Sequence, residues 1–539
     1  MSAEHSTFGS LLDPRDRVWT IQALARGATR RDVVTMLMAA GMQAGTAGSM
    51  AAIAVTAHAN APRRGGRIRV AGTTTTASET LDPARQANQM DYARGHMLYN
   101  GLTALDGSLT PQPALAESFA TQDAKTWVFS LRKGVVFHDG KALSPADVVF
   151  SLLRHKDLST GSKVRALAEQ IAAVRATGPG EVTVELVAPN VDLPALLGTF
   201  HFHIVKAGTT DFSKGIGTGP FKLKEFTPGV RSVVVRNEHY WKPDRPYLDE
   251  IEFSGIVDER ARVSALLHGD FDLVAGIDPR SVARVKSSKG YAIFTTQGSH
   301  YTDLVMRRDT GPGANADFVL AMKYLMNREQ MRKIVALDHA LVANDQPIGP
   351  NSRFYFDGLP QRPFDLDKAR FHWKKSGMTG PVQVVASRAA MYSLDMALLM
   401  QQFGQLIGLE LDVQQAPADG YWSKHWLNSA VGFGNVNTRP TADTVLTQFF
   451  KSDSAWNESR WKSERFDKLL LGARAELDGG KRHRMYADMQ TMIHQEAGIG
   501  IPLFLASLDG YTTRLKGLQS IPLGGFMGNA FAEHVWLDA

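Results

Sequence analysis

The 539-residue chain has no cysteine. Disulfides, thiolate nucleophiles, cysteine zinc sites, iron–sulfur clusters and a lipid-modified N-terminal cysteine are therefore excluded. The absence names no compartment, because a large exported domain can be stabilised by burial alone. Charge of one sign is also missing: 60 Lys+Arg face 54 Asp+Glu. The basic residues are scattered as pairs (Arg63-Arg64, Arg132-Lys133, Arg307-Arg308, Lys374-Lys375). With no basic run interleaved with aromatics, nucleic-acid binding is unsupported. Gly-x-Ser-x-Gly and His-Glu-x-x-His are absent, which removes common hydrolase signatures. The Gly-x-x-x-x-Gly-Lys-Ser/Thr phosphate loop is absent too, so any energy source must be another chain.

What is present describes a globular protein. Apolar residues make up 44%, charged residues 21%, and there are 26 Phe, 12 Tyr and 9 Trp, too many for a disordered chain. The length corresponds to about three or four domain-sized units.

The N-terminus differs from the rest. Thr29-Arg30-Arg31-Asp32-Val33-Val34 precedes an uncharged Gly/Ala/Met-rich stretch, residues 36–55, followed by Ala57-His58-Ala59. Basic, mildly apolar and small-residue regions in that order form a signal peptide, residues 1–59, and the paired arginines resemble a twin-arginine signal. Gly41, Gly45 and Gly48 argue against a membrane-spanning helix. No later stretch reaches about 18 apolar residues, so the mature chain is expected to be soluble. Residues 1–59 hold five Arg, no Lys and four Asp+Glu, which leaves the mature chain at +5.

Along the mature chain, residues 68–72 alternate as an opening strand, and residues 91–99 form a short helix with a left-handed stop near Asn100-Gly101. In residues 127–150, Trp127, Phe129 and Leu131 recur with period two, placing one strand face in a core. A turn at Lys133-Gly134, a second strand at 135–137 and a turn at 138–141 follow. Ser144 is then an N-cap, with Pro145 at the first helical position and Asp147 three residues after the cap. Residues 217–253 read as three strand-like runs. From Phe318 onward helical spacing dominates, with helices at 318–335, 365–377, 466–477 and 485–493. His201 and His203 share one face of a possible strand, at a spacing a metal site can use, but no third ligand is identifiable nearby and exposed strand histidines are the simpler reading.

These motifs resemble the bacterial extracellular solute-binding proteins of family 5, the dipeptide-, oligopeptide- and nickel-binding group of ABC importers. The strongest is Trp127-x-Phe-x-Leu-Arg-x-Gly-Val-x-Phe-His-Asp-Gly140 followed by Ala146-Asp147-Val148. Gly217-Thr-Gly-Pro-Phe-Lys-Leu223, Arg236-Asn-x-x-Tyr-Trp241, residues 323–329 and residues 363–369 support it in the right order. The resemblance implies an α/β, two-lobed periplasmic-binding-protein fold with a hinge and an additional third domain. Lobe I would be discontinuous (60–110, 217–300 and 505–539), the extra domain would span 111–216, and lobe II would span 301–504. Hinges would fall near residues 298–301 and 504–509. His138-Asp139 would then be architectural, in a turn of the extra domain.

The implied function is a non-catalytic receptor with no cofactor and no metal site. It would be soluble, periplasmic, not lipid-anchored and monomeric, capturing a peptide or peptide-like solute between its lobes for ABC permease subunits in the inner membrane. Carriage of a metal complex, haem or an opine- or sugar-acid-type ligand is the alternative, with a secreted hydrolase as a third.

Recognition is expected around residues 432–443. Peptide-binding relatives carry an acidic residue there that pairs with the ligand's amino terminus. If Asp443 matches the last acid of that run, the amino-pairing position falls near Thr438, which supplies no charge. Arg439 beside it offers a fork of donors for a carboxylate or phosphate, or else pairs with Asp443 and braces the loop. The candidate ligand-binding residues are Tyr301, Trp422, Trp426, Asn435, Thr438, Arg439 and Asp443. For the aromatics, core packing is the competing role, and Trp422 and Trp426 at i and i+4 suit a shared helical face.

Overall fold

A computed structural model describes residues 62–538. The signal segment lies outside the described residues.

Most of the framework is one twelve-stranded sheet. At one end, Arg67–Gly72 runs parallel to Glu250–Gly255, which continues antiparallel into Arg231–Arg236 and then Phe221–Thr227. The three runs read in residues 217–253 are these last three strands. At the other end, Val382–Ala386 and Leu411–Gln415 are parallel neighbours joined through the helix Ser393–Ile407, and Val431–Val436 follows. Two long antiparallel strands, Tyr291–Met306 and Leu503–Thr512, cross between the ends. Their register slips between Gln297 and His300, a bulge at Gly298-Ser299.

Each end has its own core. Ile68, Val70, Phe221, Ile251 and Phe253 pack with Met97, Phe526 and Phe531. At the far end, strand alternation feeds two layers. Leu304 and Met306 join Met322, Trp373 and Met400 on one face, and Tyr301 and Val305 join Phe449, Phe466 and Tyr486 on the other. A separate antiparallel sheet runs in the order Ala116–Thr121, Thr126–Leu131, Glu181–Leu186, Ile171–Gly178. Trp127, Phe129 and Leu131 are buried in its core with Val148 and Leu152.

Several local expectations hold. Ser144 and Asp147 form a capping box on the helix Pro145–Leu153. Asp365 caps Leu366–Lys375, and Gly377 has φ +67° just past its end.

Others need correction. Residues 135–137 form only an isolated bridge, Val136 with Ala142, because the chain turns away before a ladder can build. The helix expected at residues 91–99 is Gln89–Leu98, and it ends through an extended Tyr99 and not through a left-handed residue. The penultimate long helix stops at Ala475, short of Leu477. His201 belongs to a 3₁₀ turn, Phe200–Phe202, with His203 as its extended C-cap. His201 pairs with the carbonyl of Gln86 at 3.0 Å and His203 is buried, so neither is an exposed strand histidine. Among the described residues no group of three or more His, Asp or Glu is placed to hold a metal ion. His138 takes the amide of Gly217 on Nδ1 at 3.2 Å and meets the Gly219 carbonyl through Nε2 at 3.1 Å, so the ring braces a turn against the neighbouring strand entry.

Candidate functional site

A cleft opens beside the bulge in the long strands. Ser299, Arg353, Phe354, Asn437, Arg439 and Val445 line one side, and Ser108, Leu109, Asp192 and Ala195 line the other. The bulge is tied to the cleft wall. The Ser299 amide donates to Thr438 Oγ1 at 3.0 Å, and Ser299 Oγ accepts from the Gly349 amide at 2.9 Å. Gly298 must lack a side chain, since a Cβ there would lie 2.7 Å from Thr438 Oγ1 and 2.9 Å from the Pro522 carbonyl. Thr438 is thus a structural tie at this wall.

Arg439 is half-buried in the cleft wall. Its Nε donates to Gln448 Oε1 at 2.6 Å and one terminal nitrogen donates to the Asn437 carbonyl at 3.1 Å; the guanidinium carbon lies 5.3 Å from the Phe449 ring centre. It makes no ion pair among the described residues, and burial pushes its pKa below the ordinary arginine value. Asp443 is not its partner: Asp443 is buried and accepts from Arg474 Nε at 3.0 Å. Burial pushes the Asp443 carboxyl up, against the opposing pull of Arg474. The bracing pair of Arg439 and Asp443 therefore does not form, and the guanidinium keeps free donor capacity at the cleft.

The remaining candidates divide. Asn435 sits on Val431–Val436 and donates to Thr302 Oγ1 at 2.9 Å, while its Oδ1 meets His300 Nε2 at 3.2 Å, knitting two strands. Tyr301 is fully buried on the long strand, edge-on to Phe504 at 6.3 Å, with a hydroxyl that has no hydrogen-bond partner among the described residues. Trp422 is 42% exposed at a short helix, Tyr421–Lys424, that ends before Trp426, yet the two rings still meet edge-on at 6.0 Å. Trp426 continues to Trp456 at 5.7 Å and donates its indole N–H to Glu458 Oε1 at 2.5 Å.

That last contact exposes two residues that sequence reasoning missed. Asp303 and Glu458 are buried carboxyls, 1% and 2% exposed, converging over Gly434. Burial pushes both up; the charge of Glu458 and a hydrogen bond between the two carboxyls raise Asp303 further, while that bond and the Trp426 N–H oppose burial at Glu458, which reaches about 6. The only available signal was an acid at a core-facing position of the alternating run from Tyr301 to Met306.

Residues 110–457 match the bacterial extracellular solute-binding proteins, family 5 (middle region). The glutathione-binding protein of Escherichia coli O6:K15:H31 is 25% identical over 469 residues, covering 83% of this chain and 91% of the relative. The dipeptide-binding protein of Escherichia coli K12 is 26% identical over 471 residues, covering 79% and 87%. An ABC transporter substrate-binding protein from Listeria monocytogenes has the same fold, with a TM-score of 0.78 at 20% identity, covering 88% of this chain and 100% of that one. The expected two-lobed α/β architecture with a hinge and an additional third domain is therefore the fold of this protein. The chain belongs to the bacterial extracellular solute-binding proteins of family 5.

Proposed function

We propose that this protein is the periplasmic substrate-binding component of an ABC importer, and that it captures a peptide or peptide-like solute carrying an acidic group on Arg439. The observation that carries the ligand class is an arginine at the cleft wall that makes no ion pair among the described residues and is held in place by Gln448 and Asn437. A guanidinium so placed offers paired donors to a carboxylate or phosphate. The cleft between the two sets of lining residues supports capture by hinge closure, with lobe I at 60–110, 217–300 and 505–539, the extra domain at 111–216 and lobe II at 301–504. The slip at Gly298-Ser299 supports a hinge at that point. Binding without turnover agrees with relatives that are themselves named as binding proteins. A twin-arginine signal would deliver the chain, and permease subunits in the inner membrane would receive the ligand from a monomer.

The test is mass spectrometry of solutes retained by the purified protein, followed by titration of each into wild type and Arg439→Gln. An acidic solute whose affinity falls at least tenfold in the variant supports the reading. Equal affinity in both proteins sinks the role of Arg439, and chemical conversion of the solute without retention sinks the receptor assignment.

A further inference from the structure

A strained turn lies beside the two crossing strands. Phe526, Met527, Gly528 and Asn529 have φ of +56°, +57°, +62° and +74°. The Asn529 amide returns to the Gly525 carbonyl at 3.1 Å, so Gly525–Gly528 is one turn of left-handed helix. Side chains crowd the backbone in that conformation, which glycine and, less freely, asparagine enter. Phe526 and Met527 are held in it with their side chains fully buried, Phe526 against Phe253 at 5.7 Å and Phe531 at 5.3 Å. Backbone strain of this kind persists only where the surroundings impose it, and it gathers at elements that switch.

One carboxyl ties the turn to Leu503–Thr512. Asp509 is buried; its Oδ2 accepts from the Phe526 amide at 2.6 Å, and its Oδ1 has no hydrogen-bond partner among the described residues. A Cβ on Gly525 would stand 2.8 Å from that Oδ1 and 2.9 Å from Gln89 Nε2. The preceding residues reach the bulge in Tyr291–Met306. Ile521 backs Gly528, whose Cβ would stand 2.8 Å from Ile521 Cγ2, and the next residue, Pro522, meets Gly298. The bulge is therefore in contact with this segment as well as with Thr438.

The elements packed on Asp509 bring it no counter-charge. Gln89 is neutral, Phe294 stands opposite in register, and the Arg262 guanidinium beside Gly276 donates to the carbonyls of Ile256, Val257, Ala275 and Gly276. Burial pushes the Asp509 carboxyl up to about 7, against the pull of the Phe526 and Gly276 amides. Release of the turn would admit water and return the carboxyl to its ordinary value of about 3.9. Between the two values only the released form is ionised, so docking weakens as pH rises from about 3.9 to about 7 and levels off above.

We propose that residues 521–529 are a latch on the bulge: docked on Asp509 in its left-handed form the segment holds Gly298-Ser299 rigid, and released it relaxes and frees the bulge to bend. The latch acts whatever solute is captured, so it stands or falls apart from the receptor reading.

Hydrogen exchange of the ligand-free full chain tests it, followed in peptides covering residues 295–301 and 521–530 at pH 5 and pH 8, with intrinsic rates corrected. In wild type both segments are expected to lose protection together, at least fivefold, from pH 5 to pH 8. Asp509→Asn keeps an oxygen for the Phe526 amide and is expected to abolish that dependence. Asn529→Gly enters φ +74° freely and should keep the protection of both segments at pH 5, whereas Asn529→Ala should lose at least fivefold in both. A wild type without pH dependence, a dependence that survives in Asp509→Asn, or a bulge that stays unchanged while the turn opens overturns the latch. Should Asp509→Asn not fold, the position 529 pair decides, and equal protection of the bulge in Asn529→Gly and Asn529→Ala overturns it.

Discussion

Asp345 shows what one buried charge can demand. It is fully buried and accepts from Arg328 at 2.6 Å, from Arg362 at 3.0 Å and from the Ile501 amide at 3.1 Å. Burial alone would raise its carboxyl, but the charges of Arg328, Lys323 and Arg362 hold it below the usual range. Its contribution is thus fully present above the unfolded value of about 3.9 and is lost as pH falls through the lower folded value. Asp345→Asn leaves two guanidiniums facing an amide and should cost on the order of 3–5 kcal/mol, read from urea unfolding. Lys323 behaves in the opposite way. It is fully buried, donates to the His494 carbonyl at 2.9 Å, and is pushed down to about 7 by burial. Between that value and about 10.4 the unfolded chain binds the extra proton, so this residue makes stability rise with pH. Lys323→Met should raise the melting temperature at pH 6, and a fall would show that its carbonyl bonds outweigh the burial cost.

Elements were legible where a local rule decides them. Ser144, Pro145 and Asp147 announce a helix start, and Trp127, Phe129 and Leu131 announce a half-buried strand, because caps and period-two patterns act over a few residues. Residues 135–137 fell short of a strand because their partner is the stretch just past the turn, residues 141–143, which gives one bridge, Val136 with Ala142, and too short a ladder to count as a strand. The site was less readable than the fold. Arg439 stood out by type and position, whereas Asp303 and Glu458 lie 155 positions apart and meet only through the register of Asp303 with Gly434. Ser144→Ala should cost about 0.5–2 kcal/mol and speed amide exchange in the first turn of Pro145–Leu153. Gly434→Ala would push its methyl into both carboxyls, and should lower the melting temperature more than Ser144→Ala does.

At the scale of the molecule, the cleft has a clasp. Asp192, in the loop before the helix Leu193–Leu197, pairs with Arg482 on Gly479–Glu496 at 2.5 Å, with both side chains almost fully buried. The Val191 amide adds a bond to the Arg474 carbonyl at 2.9 Å. The pair joins the core around Trp127 to the core around Phe466. Asp192→Asn should shift the ligand-free protein toward an open form, seen as a larger radius of gyration in solution scattering that ligand reverses. An unchanged radius would mean that the bond holds the two surfaces passively.

The crossing strand Leu503–Thr512 also bears on biosynthesis. It lies in the middle of the large sheet, between Tyr291–Met306 and Leu273–Val274, although it comes late in the chain. The two halves of that sheet therefore cannot join in a growing polypeptide until this stretch has left the ribosome, and that edge of Tyr291–Met306 stays open to mispairing while residues 307–502 are made.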